Sequence, residues 1–232
     1  MNWGGGQGVY WSKISRTNVE KVIIVASGPS LQGFNFELLR PTNAYIIAVN
    51  DAGKYIPFAD AWFTIDPWGL SGTCQQLPKP FSGTYYAAVP EDFGQPNARI
   101  DAHKHAPTQS VKYLRRLQFH TCGNAPQSEH LTWGFSDDNS CIHTGNSAYG
   151  ALNMRYHMHA KKVLLLGVDG THGYFYDTKK TTRALTHLPT MFRSATQQLN
   201  ERNILVINGS PTSKVECFQK YTINAALDFF KK

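Results

Sequence analysis

Short runs of consecutive apolar residues, each ended by polar or turn-forming residues, constrain the fold of this chain more than any other feature. The first run is VIIVA at 22–26, and it leads directly into Ser-Gly-Pro-Ser at 27–30. Runs of this kind, rich in β-branched residues, are typical of strands buried on both faces of a parallel sheet. We predict strands at 21–26, 44–49, 61–65, 84–89, 162–167 and 204–207.

The stretches between these runs predict helices and two irregular segments. We expect a short helix or turn at 34–39 and helices at 146–159, 189–201 and 215–230. Strands that alternate with helices predict an α/β fold with a doubly wound, mostly parallel, Rossmann-like sheet. Residues 1–20 are expected to be a flexible lead-in to a single nucleotide-binding domain over 21–232. Within that domain, 90–140 is expected to be an irregular lid or insertion, because long loops are often functional.

The charge of the chain is compatible with anionic partners. The formal net charge is +7, but the basic residues are scattered along the sequence. Phosphorylated donors, acidic glycans and nucleic acid therefore stay open as partners, beside a merely basic surface. No apolar run approaches the roughly 20 residues of a membrane helix, and the N-terminus lacks a signal-peptide pattern, so we expect a cytoplasmic protein without a membrane span. A homo-oligomer is compatible with the sequence, but nothing in it selects one.

Neither the cysteines nor the paired histidines predict a metal site. The four cysteines are widely spaced and form no C-x-x-C pair, which argues against a zinc site or a disulfide scaffold. The histidine pairs 103/105 and 157/159 have a spacing of two, and the second pair falls near a helix end, where a cation is favourable.

The turn after the first strand has the residue types of a phosphate-binding turn. Gly28 permits a close backbone approach, Pro29 suits a first helical position, and Ser30 can cap exposed amides. Open α/β sheets bind phosphates and nucleotides at the carboxyl edge, where this turn is expected. An ordinary strand-to-helix turn would use the same residues, so the turn alone leaves both interpretations open.

Four segments in one order resemble the bacterial lipooligosaccharide sialyltransferases of glycosyltransferase family 42. They are KVIIVASGPSL at 21–31, IIAVN at 46–50, GNSAYGALNMRYHMHAKKVLLLGVDG at 145–170, and YFYDTKK at 174–180. The chain also resembles a wider group that includes 6-hydroxymethylpterin pyrophosphokinase-like proteins and uncharacterised phage proteins. The resemblance implies a nucleotide-binding α/β fold, and a location in the host cytoplasm if the protein is phage-encoded.

The resemblance also implies a nucleotide-binding site built from the ends of several strands. Its predicted residues are Ser27, Gly28, Pro29, Ser30, Asn50, Asn146, Ser147 and Asp169. A carboxamide can meet a ribose or base edge, and a hydroxyl at a helix N-terminus can hold an anionic group. The alternatives are turn capping by Asn50, plain N-capping at Asn146 and Ser147, and binding of loop amides by Asp169.

Two residues are the predicted catalytic groups under the resemblance. Tyr174 aligns with a tyrosine that donates a hydrogen bond to the departing phosphate, so transfer is expected to need no metal or other cofactor. His187 lies in the interval where the family has its general base, and His172 is the rival. The expected reaction is inverting transfer of a sugar from a nucleotide-sugar to a hydroxyl of a glycan or of a hydroxylated base in phage DNA.

Departures from the family pattern leave the donor sugar open and keep two other functions in view. Ser27 stands where the sialyltransferases have Asn, and Thr144 where they have Arg. A pyrophosphokinase that uses ATP and Mg²⁺, held by Asp66 and Asp169, is the alternative enzyme. A non-enzymatic nucleotide- or glycan-binding module is the third hypothesis, and the aromatic residues in 3–11 favour it because exposed aromatic side chains mark partner sites.

Overall fold

One parallel sheet organises the residues that this computed structural model describes, which are 10–15, 19–77, 81–93, 110–117, 134–177 and 185–231. The strands in these ranges are β1 (Lys21–Val25), β2 (Tyr45–Val49), β3 (Ala61–Thr64), β4 (Thr84–Val89), β5 (Val111–Leu117), β6 (Cys141–His143), β7 (Lys162–Leu166), β8 (Leu205–Asn208) and β9 (Gln219–Lys220). They form one sheet of order β6-β5-β4-β3-β2-β1-β7-β8-β9. Each neighbouring pair is parallel, which confirms the predicted doubly wound, Rossmann-like α/β fold.

Helices and 3-10 segments connect the strands. The helices in the described ranges are α1 (Pro67–Ser71), α2 (Ser147–Met158), α3 (Leu188–Ser194), α4 (Thr196–Glu201) and α5 (Ile223–Lys231). The 3-10 segments are Pro29–Leu31, Phe36–Thr42, Asn50–Tyr55 and Thr73–Gln76. Within the described ranges, no helix combines the length and the apolar character that crossing a membrane requires.

The first strand shows why the apolar runs are continuous. Val22 and Ile24 pack into the core on the face covered by α2, α3 and α4, whereas Ile23 and Val25 pack into the core on the face covered by α5. All four side chains are fully buried. Burying a side chain of this size contributes roughly 1.5–3 kcal/mol, so both faces of the strand stabilise the sheet.

Helix α2 is buried along its whole length and fixes the position of the segment before it. All twelve of its residues are buried, including the polar Asn153. The Oδ1 atom of Asn153 accepts hydrogen bonds from the amides of Ser136 (3.2 Å) and His143 (2.9 Å). These bonds attach 134–143 to the helix because a buried amide side chain needs partners. Asn146 caps the start of α2, and His159 ends it in the left-handed conformation.

The stretch 90–140, predicted to be an irregular lid or insertion, contains a strand of the main sheet. Residues Val111–Leu117 form β5, which pairs in parallel with β4 and β6. The charged residues Lys112, Arg115 and Arg116 interrupt the apolar pattern, so the sequence does not predict this strand, although Tyr113 and Leu114 are buried. Residues 94–109 and 118–133 lie outside the described ranges, and His103 and His105 lie there with them.

Two predicted helices differ from the structure at their boundaries. The predicted helix 189–201 is divided into α3 and α4 at Ala195. The predicted helix 215–230 begins only at Ile223, because Gln219 and Lys220 first pair with β8 as the short strand β9. The hydroxyl of Thr222 accepts a hydrogen bond from the amide of Ala225 at 3.3 Å and so marks the true start.

Part of the expected lead-in lies against the body of the protein. The amide of Ser12 donates to the Tyr113 carbonyl and that of Ile14 to the Asn139 carbonyl, both at 2.8 Å. Ile14 is buried, and Trp11 packs beside β5. Residues 1–9, Trp3 among them, and 16–18 lie outside the described ranges.

Candidate functional site

A cleft of about 380 Å³ lies at the carboxyl edge of the sheet, at the point where the strand order reverses. From β1 the chain adds strands on one side as far as β6, and then on the other side from β7 to β9. Open α/β sheets bind ligands at such a reversal. Eight of the ten predicted site residues line the cleft, and they are Ser27, Gly28, Asn50, Asn146, Ser147, Asp169, Tyr174 and His187.

The turn after β1 is bound to the loop after β7, and only its first two residues, Ser27 and Gly28, line the cleft. The amide of Gly28 donates to the Gly167 carbonyl at 2.8 Å. The amide and hydroxyl of Ser30 donate to the two carboxylate oxygens of Asp169, each at 2.8 Å. A Cβ atom at Gly28 would lie 2.3 Å from Asp169 Oδ2, so the glycine permits this contact between loops. Asp169 thus takes the predicted alternative role of binding loop amides, and Pro29 and Ser30 do not line the cleft.

Ser27 differs from Ser30 in the same turn because its hydroxyl makes no hydrogen bond to a described residue. The Oγ atom is buried and has no hydrogen-bond partner among the described residues. The backbone carbonyl of Ser27 accepts a hydrogen bond from the amide of Phe175 at 3.1 Å, which holds the loop after β7 over the turn. Since Ser27 lines the cleft, its hydroxyl is a candidate ligand contact.

A polar network joins the ends of β2 and β3 to the start of α2. Asn50 Nδ2 donates to Asp66 Oδ2 (2.9 Å) and to Ser147 Oγ (3.1 Å), and Ser147 Oγ donates to the same Asp66 oxygen (2.9 Å). Asn50 Oδ1 accepts from Thr64 Oγ1 at 2.6 Å, which fixes the orientation of the amide. Asn50 also has a left-handed φ of 51°, a conformation that Asn tolerates better than most residues.

Asp66 is the residue in this network that the predicted nucleotide site omits. The sequence places it directly after the third apolar run and predicts it only as a metal ligand in the alternative pyrophosphokinase. The structure makes its carboxylate the shared acceptor for Asn50 and Ser147. Asn146 does not join them, because its Oδ1 caps α2 by accepting from the amides of Ala148 (2.9 Å) and Tyr149 (3.2 Å).

Stacked tyrosines form the wall of the cleft that follows β7. The rings of Tyr174 and Tyr176 are stacked at 5.2 Å, and Tyr176 is stacked in turn on Tyr55 at 5.7 Å. Burial, with help from the charges of Asp51 and Asp66, raises the pKa of Tyr174. A phenol is protonated at neutral pH even without this shift, so the Tyr174 hydroxyl is a hydrogen-bond donor at the cleft.

Asp51 anchors this aromatic wall. Its carboxylate accepts from the hydroxyls of Tyr176 (2.9 Å) and Thr73 (2.6 Å), and it forms an ion pair with Lys54 (2.8 Å). Burial alone would raise the pKa of Asp51, but these partners outweigh it and lower the pKa below its ordinary value. Tyr176 is a contribution that sequence reasoning missed, although the Tyr-Phe-Tyr pattern would place Tyr174 and Tyr176 on one side of an extended segment.

The two candidate bases differ in position. His187 lies at the N-cap of α3 and lines the cleft. His172 is exposed and does not line it, although its neighbours Thr171 and Gly173 do. The position of His187 is compatible with a role as base, which stays a prediction.

The charged side chains that line the cleft are acidic. Asp51, Asp66 and Asp169 line it, and none of the lining residues in the described ranges is Lys or Arg. Within those ranges, no group of three or more His, Cys, Asp or Glu side chains is arranged to hold a metal ion.

The fold is an all-parallel, Rossmann-like α/β fold with a cleft at its strand-order reversal, and solved glycosyltransferases share this fold. The MAf glycosyltransferase from Magnetospirillum magneticum AMB-1 superimposes with a TM-score of 0.56 and 13% identity, over 95% of this chain and 38% of that one. The monofunctional alpha-2,3-sialyltransferase Cst-I from Campylobacter jejuni superimposes with a TM-score of 0.51 and 13% identity, over 90% of this chain and 82% of that one.

These comparisons confirm the resemblance to the sialyltransferases at the level of the fold. This chain spans 38% of the length of the MAf glycosyltransferase, so it corresponds to only part of that protein. The sequence matches no protein-family model. It also matches no curated protein.

Proposed function

We propose that this protein is a glycosyltransferase that moves a sugar from a nucleotide-sugar to a hydroxyl acceptor. One observation carries the proposal. Tyr174 and His187 line the same cleft as Ser27, Asn50 and Ser147, at the strand-order reversal of a fold shared with glycosyltransferases. Such a reversal is where open α/β sheets bind nucleotides.

The proposed reaction is a single displacement at the anomeric carbon. His187 takes the proton of an acceptor hydroxyl, and the hydroxyl oxygen attacks the anomeric carbon as the bond to the phosphate oxygen breaks. The electron pair of that bond leaves with the nucleotide phosphate, and the configuration at the anomeric carbon is inverted. Tyr174, whose phenol is protonated at neutral pH, donates a hydrogen bond to the departing phosphate. The hydroxyl of Ser27 is a second donor for the nucleotide.

The acceptor in this proposal is a glycan hydroxyl or a hydroxylated base in DNA. The net charge of +7 favours an anionic acceptor, since long-range attraction raises the rate of encounter. The acceptor has to approach from the side of His187, so that its hydroxyl reaches the imidazole.

Paired histidine variants test the proposed base. We expect His187→Ala to lower nucleotide release from the donor by about 10²- to 10⁴-fold, the usual contribution of a general base. The matched variant His172→Ala should keep wild-type activity because His172 is exposed and outside the cleft. Nucleotide release is measured in EDTA with CMP-N-acetylneuraminic acid, UDP-glucose, UDP-N-acetylglucosamine and GDP-mannose. An unchanged rate for His187→Ala, or a loss confined to His172→Ala, contradicts the assignment.

One observation favours the alternative function of a pyrophosphokinase: its two predicted metal ligands, Asp66 and Asp169, both line the cleft. Three of their four carboxylate oxygens already accept hydrogen bonds from the protein. The two enzymes differ in their need for Mg²⁺. Transfer of pyrophosphate from ATP that stops in EDTA would identify the pyrophosphokinase, and binding without turnover would leave the non-enzymatic module.

A further inference from the structure

We propose that Asp66 and Ser147 form a subsite that accepts hydrogen bonds from hydroxyl groups of the nucleotide-sugar, on its ribose or on its sugar ring. The inference rests on the proposed function and deepens it, because it orients the nucleotide-sugar in the cleft. The hydroxyls meet this pair of residues, and the phosphate lies in another part of the same cleft. The directions of the hydrogen bonds that join β2, β3 and α2 carry the assignment.

Asp66 fixes the direction of the hydrogen bonds around it. An ionised carboxylate can only accept, so the two atoms at 2.9 Å from Asp66 Oδ2, which are Asn50 Nδ2 and Ser147 Oγ, both donate to it. Asn50 keeps this orientation because its Oδ1 accepts from the buried hydroxyl of Thr64 at 2.6 Å. Bonds within the protein therefore order the network without a ligand.

Asp66 and Ser147 have only lone pairs to offer a ligand. The single hydroxyl hydrogen of Ser147 is directed at Asp66, and its oxygen accepts from Asn50 Nδ2 at 3.1 Å, which leaves one lone pair on Oγ. The Asp66 carboxylate has a second oxygen, Oδ1, and no hydrogen at all. Because both residues line the cleft, a ligand group that binds to them must carry hydrogens of its own.

The phosphate of a nucleotide-sugar does not meet this requirement. Its oxygens carry no hydrogen, so they accept hydrogen bonds and pair with donors. Two side chains that line the cleft can donate: the Ser27 hydroxyl, which is buried and has no partner among the described residues, and the Tyr174 phenol. The phosphate therefore lies toward the turn after β1 and Tyr174, as the proposed reaction requires, and not on the two acceptors.

A phosphate bound to Tyr174 brings a hydroxyl-bearing ring to Asp66. Tyr174 is near enough to Asp66 for that carboxylate to contribute to its raised pKa, after burial and the charge of Asp51. In a nucleotide-sugar the phosphate is flanked by the ribose and by the transferred sugar, and both rings carry hydroxyl groups. A ring next to this phosphate is therefore within reach of Asp66 and Ser147.

The first turn of α2 is arranged for the same kind of ligand. The amides of Ala148 and Tyr149 already donate to Asn146 Oδ1, at 2.9 and 3.2 Å. These two amides are thus used by the helix cap, and the Ser147 hydroxyl is directed at Asp66. Ser147 keeps the predicted role of a ligand contact, with a hydroxyl as its partner in place of an anionic group.

Analogues that lack one hydroxyl test the inference by isothermal titration calorimetry in EDTA. UDP-glucose, UDP-N-acetylglucosamine, GDP-mannose and CMP-N-acetylneuraminic acid are titrated first. The one that binds is then compared with its 2′-deoxyribose and 3′-deoxyribose analogues, and with analogues in which fluorine, which cannot donate, replaces one sugar hydroxyl. We expect at least one analogue to bind about tenfold more weakly or worse, because a hydrogen bond to a charged group is lost. The ribose and sugar series show which ring uses the subsite.

Two variants assign the lost affinity to its residues. In Asp66→Asn the amide oxygen can still accept from Asn50 and Ser147, while the amide nitrogen replaces the second acceptor with a donor. This variant should bring the affinity ratio of parent to analogue toward one, and Ser147→Ala should lower the ratio as well. Asp228→Asn is the matched control, because Asp228 is an exposed carboxylate on α5 that does not line the cleft. It should leave the ratio unchanged.

The outcomes separate this inference from the proposed function. Equal affinity of the wild-type protein for the parent and every analogue overturns the subsite, while a nucleotide-sugar enzyme still stands. A ratio that stays undiminished in both variants also overturns it, because other residues then read the hydroxyl. Binding with the expected ratios but without nucleotide release overturns the proposed transfer and supports the subsite. Failure of every nucleotide-sugar to bind overturns both. If Asp66→Asn does not fold, the ratio measured with Ser147→Ala decides.

Discussion

Replacing Gly28 with alanine tests the junction of β1 and β7 on which the cleft is built. The added Cβ would lie 2.3 Å from Asp169 Oδ2 and 2.5 Å from the backbone oxygen of Gly167, so one of these groups must move. Insertion into a close-packed region costs about 1–3 kcal/mol. Displacing Asp169 also weakens its two bonds from Ser30, and bonds to charged groups contribute about 1.5–3 kcal/mol each.

The expected net loss is about 3 kcal/mol of unfolding free energy. Alanine also lowers the conformational entropy of the unfolded chain. This stabilises the folded protein by roughly 0.4–1 kcal/mol and offsets part of the cost of the clash. For a chain of this size, 1 kcal/mol lowers Tm by about 2–4 °C, so we expect a fall of about 6–12 °C. The free energy is measured by urea unfolding followed by circular dichroism.

Gly33→Ala is the matched control. Gly33 has a φ of +72° with no atom within 4 Å of an added Cβ, so only backbone strain of about 1–2 kcal/mol is expected. In the double variant Gly28→Ala/Asp169→Ala, the carboxylate is gone and the two costs should not add. A Gly28→Ala protein as stable as Gly33→Ala, or an additive double variant, would refute the described contact.

Three further predictions concern the buried groups around the cleft and α2. Burial, followed by the charge of Arg202, lowers the pKa of His157 to about 4. The free energy of unfolding therefore has its full value above pH ~6.5 and falls by at most ~3 kcal/mol as the pH drops from there through about 4. His157→Gln should flatten this pH dependence, measured by urea unfolding. Tyr174→Phe should lower the rate of nucleotide release about 10²- to 10³-fold with an unchanged Tm, and equal rates would remove Tyr174 from the mechanism. Asp51→Ala should lower the unfolding free energy by about 1–3 kcal/mol because Tyr176 and Lys54 lose their acceptor, and an unaltered urea midpoint would contradict that role.

The strands at the centre of the sheet could be predicted because their side chains are buried on both faces. The runs at 21–26, 44–49 and 162–167 correspond to β1, β2 and β7, at the centre of the sheet, because a double-sided core requires continuous apolar residues. The strand β5 escaped prediction since Lys112, Arg115 and Arg116 interrupt its apolar pattern nearer the edge. Strand β9 has only two residues, too few for any periodicity.

The candidate site could be predicted as a set of residues but not as a network. Asn50, Ser147 and Asp169 stand directly after strands or at a helix start, which is visible in the sequence. The bonds from Asn50 to Asp66 and Ser147 span 16 and 97 residues, and they depend on a strand order that local patterns do not encode. For the same reason, the bonding of Asp169 to Ser30 was visible only as one of two alternatives.

Nucleotide binding by the wild-type protein is the most direct test of whether it uses a nucleotide-sugar without a metal. Thermal unfolding is followed with CMP, CDP, UDP, GDP, AMP and ATP, each in EDTA and in Mg²⁺. A ligand present at 100 times its Kd stabilises the native state by about 2.7 kcal/mol, which is well above the resolution of a melting curve. We expect CMP or a nucleoside diphosphate to raise Tm in EDTA. A rise confined to AMP or ATP with Mg²⁺, or no rise with any nucleotide, would contradict it.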